Sequence, residues 1–300
     1  MRTLNFGIEI EMTGITRAKA ARTIAAYFGT SASFAGTSYR TYEATDRAGR
    51  TWKAMRDASI VPQKKTRGGI VPANDEYRVE VVSPILRYED LDDLQEIVRS
   101  LRRKGATVNS STGIHIHVGA ERFTPRTLRN LVNIVASKED ILYKALRVRE
   151  DREIRYCKRT NKIFLAAINE KKPKTMEEIA DLWYAEAPYG RNEHYNPSRY
   201  HGCQIHSLFT KGTIEYRAFN GTLYAGAIKA YVQLCLAISH QALAQKKASA
   251  RKTVSDNEKF TFRVWLLRLG FIGAEFAAAR SILMRNLSGN ASFRFGRSAH

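Results

Sequence analysis

FGIEIEM, at residues 6–12, is the stretch that decides the fold class. Along an extended strand, Ile8 and Ile10 fall on one face while Glu9 and Glu11 fall on the other. Two carboxylates about 7 Å apart on one strand face would repel each other in a dry core. A bound divalent cation would remove that repulsion, because Mg²⁺ favours carboxylate oxygen. An edge strand with one wet face is the alternative interpretation.

Two more predicted strands carry ionisable residues among apolar neighbours. In GIHIHV, at residues 113–118, His115 and His117 share one face. Such a pair could bind a metal ion or an anionic phosphate. The alternative interpretation is two hydrogen-bonded histidines on a wet face. Glu80 has valines as its neighbours and either joins a charged site or pairs with Arg78 on the same face.

Glu215 and Arg217 share a face of a fourth predicted strand, at residues 213–219. The two side chains either form an ordinary ion pair with each other, or Arg217 lies beside a metal site and neutralises a transferring phosphoryl group. Four strands that direct charged or imidazole faces into one cavity would form a site for metal-bound nucleotide phosphates. The sequence has no glycine-rich phosphate loop, so metal ions and basic side chains would hold the phosphates.

The remaining pattern indicates an α+β fold with a mainly antiparallel sheet, because strands and helices do not alternate in a βαβ rhythm. Residues 203–209 and 213–219 are predicted to form a hairpin, and residues 150–200 to be irregular apart from one short helix. Helices are predicted at residues 17–28, 88–104, 125–146, 176–184, 225–247, 256–269 and 273–287.

Composition restricts the environment and the partners. Lysine and arginine total 49 against 29 acids, a formal charge of +20, which favours contact with polyanions or reflects charge spread over solvated helices. The three cysteines fit neither a disulfide framework nor a zinc site, which favours a reducing cytoplasm. No apolar run approaches the ~18 residues of a membrane span, so no membrane partner is expected.

Four segments together resemble the motifs of the amidoligase family, a branch of the carboxylate–amine ligases with the glutamine synthetase fold. They are FGIEIEM at 6–12, EVVSP at 80–84, STGIHIHVG at 111–119 and TIEYRAFNGTL at 213–223. Two further segments resemble family motifs with changes. Asp57 matches an aspartate that is followed here by Ala58 instead of glycine, and Gln204 stands where the pattern after Arg199 has asparagine.

The resemblance implies an ADP-forming ligase that uses ATP and Mg²⁺. The implied metal ligands are Glu9, Glu11, Glu80 and Glu215, together with His115 or His117. His115, His117 and Arg217 would bind the nucleotide phosphates, Arg217 and Arg199 would stabilise the phosphoryl oxygens, and Asp57 would bind the amine or act as its base. The substrates would be an amine and a carboxylate on a peptide, a peptidoglycan stem or a protein side chain.

The implied fold is a glutamine synthetase-like curved antiparallel sheet, an incomplete barrel with helices on its outer face. Residues 1–240 would form the catalytic domain, and 241–300 a helical extension packed on it. Two other functions remain open. The chain would be a nucleic-acid- or polyanion-binding protein on a catalytically retired ligase scaffold, or a phosphotransferase that uses the same centre without forming an amide.

Overall fold

The computed structural model describes residues 1–186, 188–193 and 195–293. The chain divides into two compact units. The first unit comprises Arg2–His117 and Phe219–Lys229, and the second comprises Met1, Val118–Ala218 and Ala230–His300. The last seven residues of the helical extension predicted at 241–300 lie outside the described residues.

The first unit is built on an open sheet. Its strands are β1 (Phe6–Met12), β2 (Ala32–Phe34), β3 (Tyr42–Thr45), β4 (Thr51–Met55), β5 (Gln63–Thr66), β6 (Gly69–Pro72), β7 (Val79–Val82) and β8 (Gly113–Gly119, whose residues to His117 belong here). Six of them form a sheet in the order β2-β3-β4-β7-β1-β8, and β5 pairs with β6 as a separate hairpin. β1 therefore lies between two neighbours, and its interpretation as an edge strand is wrong.

Register within this sheet places the charged residues. β1 and β7 pair antiparallel, with Glu11 opposite Glu80 and Ile10 opposite Val81. β7 also pairs antiparallel with β4, which in turn pairs with β3. Ile8 and Ile10 are fully buried, as the alternating pattern predicts. An α+β fold with a large antiparallel sheet is confirmed.

Two helices cover part of this unit, α1 (Arg17–Phe28) and α2 (Leu91–Arg103). The hydroxyl of Thr16 caps α1 by accepting a hydrogen bond from the amide of Lys19, and Gly29 ends the helix in the left-handed conformation at φ 73°. α1 packs against β3, β4 and α2. Both helices were predicted, although α2 begins three residues later than expected, after a 3₁₀ turn.

Gly221, in the segment that follows β10, lies very close to the backbone at Thr112 of the first unit. Its amide donates a hydrogen bond of 2.9 Å to the carbonyl of Thr112, the residue before β8. A Cβ atom at position 221 would lie 2.1 Å from Oγ1 of Thr112, so only glycine fits there without displacement.

The second unit is mainly helical. Its elements are α3 (Pro125–Leu146), α4 (Glu150–Arg155), α5 (Lys162–Lys171), α6 (Met176–Trp183), β9 (Cys203–Gln204), α7 (His206–Lys211), β10 (Thr213–Asn220, whose residues to Ala218 belong here), α8 (Ala225–Ala244, whose residues from Ala230 belong here), α9 (Glu258–Arg268) and α10 (Ala277–Met284). None of the helices in the described part of the chain is long and apolar enough to cross a membrane.

Two predictions for this unit are wrong. Only Cys203 and Gln204 of the predicted strand at 203–209 are extended, and α7 follows them. The side chain of Gln204 accepts a hydrogen bond of 3.1 Å from the amide of Ser207, which turns the backbone into the helix. Residues 150–200 also contain α4 and α5, which were not predicted; the side chain of Asn161 caps α5.

Candidate functional site

Two buried carboxylates face each other across β1 and β7. Glu11 and Glu80 are directly opposite in the antiparallel register, and they are 4% and 9% exposed. The amide of Gly113, at the start of β8, donates a hydrogen bond of 2.6 Å to Oε2 of Glu11. Like charges directly opposite on a sheet are destabilising unless a cation or a proton lies between them.

Two histidines from β8 adjoin these carboxylates. Nδ1 of His115 lies 2.9 Å from Oε2 of Glu9, and its Nε2 lies 3.6 Å from Oε1 of Glu11. Nε2 of His117 lies 3.2 Å from the other oxygen of Glu9. Both histidines are buried, so their interpretation as residues of a wet face is wrong.

The two neighbouring histidines favour the anionic form of Glu9. Burial alone would raise the pKa of Glu9. Attraction to His117 and hydrogen bonds with His115 and His117 outweigh burial, so the pKa lies well below its usual range. Glu9 is therefore a carboxylate at neutral pH, available as a ligand for a cation.

The donor set fits a divalent metal ion. Ligand atoms of Glu11, Glu80 and His115 all lie within 4.8 Å of one another. Carboxylate oxygens suit Mg²⁺ and Mn²⁺, and an imidazole nitrogen adds affinity for transition metals. A cation at this place would be stabilised by two buried negative charges that otherwise repel. Arg78, which the sequence offered as an alternative partner for Glu80, forms an ion pair of 3.7 Å with Asp75.

The second unit holds another buried glutamate, in a different environment. Glu215 of β10 is 1% exposed and Arg217 is 4% exposed. One guanidinium nitrogen of Arg217 donates a short hydrogen bond to Oε1 of Glu215. Nε of Arg217 also donates to the carbonyl of Tyr156, at 3.3 Å. The predicted ion pair is thus present, and it is buried.

Sequence reasoning missed part of this arrangement. Ser207 of α7 donates a hydrogen bond of 2.8 Å to Oε2 of Glu215. The side-chain amide of Gln204 donates to the same oxygen, and Gln204 lies opposite Glu215 in the pairing of β9 with β10. Gln204 was noticed as a departure from a motif, whereas Ser207 had no signal because a strand was predicted there.

Two further predicted site residues, Asp57 and Arg199, make other contacts. Asp57 follows β4, is half-buried, and accepts a hydrogen bond of 2.6 Å from the amide of Ser59. No hydrogen bond or ion pair within the described residues joins Asp57 to the carboxylate–histidine cluster of the first unit. The guanidinium of Arg199 lies over the rings of Tyr195 and Tyr200, at 5.6 and 5.8 Å from their centroids.

The comparison with known families agrees with these observations. No match to a curated protein was found for the chain. The sequence matches the family model for amidoligase enzymes over residues 2–239, which include the glutamates, histidines and arginines described above. That match covers well over half of the 300 residues, so the chain belongs to the amidoligase family, a family of ligase-type enzymes.

Proposed function

We propose that this protein is an ATP-dependent carboxylate–amine ligase that forms an amide or isopeptide bond through an acyl phosphate. The observation that carries the proposal is the buried cluster on β1, β7 and β8, in which Glu11 and Glu80 face each other beside His115. Membership of the amidoligase family supports the ligase class. A glutamine synthetase-like fold and a catalytic domain at residues 1–240 belong to the same proposal.

The residues of the cluster have different proposed roles in binding the metal ion and the phosphates. Glu9, Glu11 and Glu80, with His115, would hold Mg²⁺. Bound Mg²⁺ would neutralise the triphosphate charge and stabilise the charge that develops as the γ-phosphoryl group moves. His117 is placed beside Glu9, where it would orient that carboxylate or contact a phosphate oxygen. Glu215 is included as a further metal ligand on the strength of the family resemblance.

The reaction consists of two displacements. A carboxylate oxygen of the substrate attacks the γ-phosphorus of ATP, the bond to the β,γ-bridging oxygen breaks, and ADP leaves. The amine nitrogen then attacks the acyl phosphate carbon, loses a proton and displaces inorganic phosphate. Arg217 and Arg199 would stabilise the transferring phosphoryl oxygens. Asp57 would bind the amine or accept its proton.

The proposed substrate classes are those that the family resemblance implies. One substrate bears a free carboxylate on a peptide, a peptidoglycan stem or a protein side chain, and the other bears a primary amine. The formal charge of +20 would favour an acidic carboxylate substrate at the encounter stage. A cytoplasmic location would supply ATP and Mg²⁺ together.

The proposal is tested by isothermal titration of the protein with a non-hydrolysable ATP analogue, with Mg²⁺ and with EDTA. We expect saturable binding that requires Mg²⁺. Glu11→Gln and Glu80→Gln should each weaken that binding by about 100-fold, since a metal ligand is lost. Glu170→Gln, on the exposed face of α5, is the matched control and should bind like the unmodified protein.

Two outcomes would contradict the proposal. Binding that is independent of Mg²⁺ would remove the metal role of the cluster. If the protein bound no nucleotide but bound nucleic acid with steep salt dependence, the polyanion-binding alternative would replace the ligase. If nucleotide binding is confirmed, ADP release in the presence of different carboxylate–amine pairs identifies the substrates. Transfer of the γ-phosphate of ATP to a stable product would instead show that the protein is a phosphotransferase.

A further inference from the structure

The second unit contains a cavity of about 680 Å³ that is separate from the residues discussed so far. Residues of α3, α8 and α9 line it, together with the irregular segment that connects α8 to α9. Most of this lining lies beyond residue 239, where the match to the amidoligase family ends. The family match therefore assigns no role to it.

The connecting segment is held in place by polar residues on one face of α3. Asn130 and Asn133 donate hydrogen bonds of 2.8 and 3.0 Å to the carbonyls of Gln245 and Ala248. Further along the same face, the carbonyl of Ser137 accepts a hydrogen bond of 2.9 Å from the amide of Thr253. Because these three residues of α3 are buried, the segment is ordered by internal contacts, and the cavity wall is preformed.

The charged residues in the described lining of the cavity are all cations. Lys138, Lys247 and Arg268 line it, and no aspartate or glutamate does so among the residues that the structure describes. Nζ of Lys138 donates a hydrogen bond of 2.6 Å to Oγ1 of Thr253, a neutral partner. Burial and repulsion from Arg268 lower the pKa of Lys138.

Two neighbouring cations of the same elements form ion pairs with acids. Lys144, two turns further along α3, forms an ion pair with Glu258. Lys252, in the connecting segment, lies 3.4 Å from Oε2 of Glu139. Acids therefore pair these two cations, whereas the described lining of the cavity itself is cationic and neutral. An anion in the cavity would relieve the repulsion between Lys138 and Arg268.

We propose that this cavity binds a small, multiply charged anion, through Lys138, Lys247 and Arg268. Either a phosphate-type or a carboxylate-type ligand carries the required charge. The polar side chains of Gln241, Ser249 and Thr261 also line the cavity and supply hydrogen-bond donors for the anion's oxygens. The site is independent of the proposed nucleotide centre and does not rest on it.

The test is isothermal titration of the full chain in EDTA at an ionic strength of about 0.15 M. The probes are sodium pyrophosphate and the tricarboxylate tricarballylate. We expect saturable binding of one anion per chain, and the better probe identifies the ligand type. Lys138→Gln and Arg268→Gln should each weaken binding at least tenfold, whereas Lys171→Gln, an exposed lysine of α5, should leave it unchanged.

Other results decide against the site. No saturable binding of either probe would overturn the proposal, as would equal weakening by Lys171→Gln, which indicates nonspecific attraction. Lys247→Gln is the second cavity variant if Lys138→Gln fails to fold. Glu80→Gln should retain anion binding, so failure of the ligase proposal and failure of this one are separable.

Discussion

Glu215 and the Glu11–Glu80 pair are buried to a similar degree, but their surroundings differ. Glu215 has a cation and two neutral donors within its own unit: Arg217, Gln204 and Ser207. Glu11 and Glu80 instead lie opposite each other, and Glu11 also contacts the amide of Gly113 and the ring of His115. Burial alone therefore does not show which of these carboxylates would be stabilised by an added cation.

The difference lies in how the negative charge is balanced. A buried carboxylate with an arginine and further donors needs no additional cation for stability. Two carboxylates opposite each other gain from one, because Mg²⁺ replaces their repulsion with attraction. We therefore expect substitution at Glu215 to destabilise the fold even in EDTA, in addition to any effect on the proposed metal site, and substitution at Glu80 to act mainly on Mg²⁺-dependent binding.

Glu215→Gln should have the largest effect on stability. The substitution removes the negative charge that pairs with the buried guanidinium of Arg217, and breaking one side of a buried ion pair costs about 3–5 kcal/mol. Urea unfolding followed by circular dichroism measures the loss in free energy of unfolding. The double variant Glu215→Leu/Arg217→Met is the control, since removing both charges should recover most of that loss. A change below about 1 kcal/mol would show that Glu215 does not balance Arg217 in the folded protein.

Glu80→Gln should weaken nucleotide binding without lowering the stability of the fold. In EDTA we expect the free energy of unfolding to stay within about 1 kcal/mol of the unmodified protein, or to rise, because a cross-strand repulsion is removed. Mg²⁺-dependent binding of the ATP analogue should weaken about 100-fold, which corresponds to about 2.7 kcal/mol. Strong destabilisation with unchanged binding would reverse the comparison and make Glu80 the structural residue.

Asp90 provides a third, more exposed setting for a carboxylate in the first unit. Both its oxygens accept hydrogen bonds from Arg50, at 2.8 and 2.9 Å, and those bonds lower the pKa of Asp90. A carboxyl group with a lowered pKa in the folded state stabilises the protein above its unfolded pKa of about 3.9, and that stabilisation is lost as the pH falls through the folded value.

Asp90→Asn should therefore cost about 1 kcal/mol at pH 7, because the pair is partly exposed. The difference from the unmodified protein should narrow as the pH falls below about 4. Urea midpoints measured between pH 7 and pH 3 test both statements. A difference that stays constant over this range would show that the ionised carboxylate of Asp90 is not responsible.

Much of the fold was predictable because its signals are local. Alternation of isoleucine and glutamate in β1 fixes both the strand and the faces of its side chains. Thr124 followed by Pro125 fixes the start of α3, where the threonine caps the helix as expected. The helix at 206–211 was not predictable, because Gln204, whose side chain turns the chain there, is itself positioned by pairing with Glu215 of another strand.

The sequence indicates which residues share a strand face in the candidate site, but not which of them contact each other across strands. The i, i+2 spacing indicates that Glu9 and Glu11 share a face, but only the register of β1 with β7 brings Glu80 opposite Glu11. Likewise, the sequence suggested that Arg217 pairs with Glu215, whereas Ser207 could not be assigned as a partner without the fold. Register depends on pairing between strands that are distant in sequence, so the pattern of one strand alone does not predict it.

Asp57→Asn should have the smallest effect of these substitutions on nucleotide binding. Asp57 is half-buried and caps a turn through the amide of Ser59, and asparagine can accept the same hydrogen bond. Binding of the ATP analogue with Mg²⁺ should therefore stay within about threefold of the unmodified protein, a difference below about 1 kcal/mol. If Asp57 serves the amine, the variant should instead slow product formation with an identified carboxylate–amine pair. A large loss of nucleotide binding would place Asp57 with Glu80 as part of the metal centre.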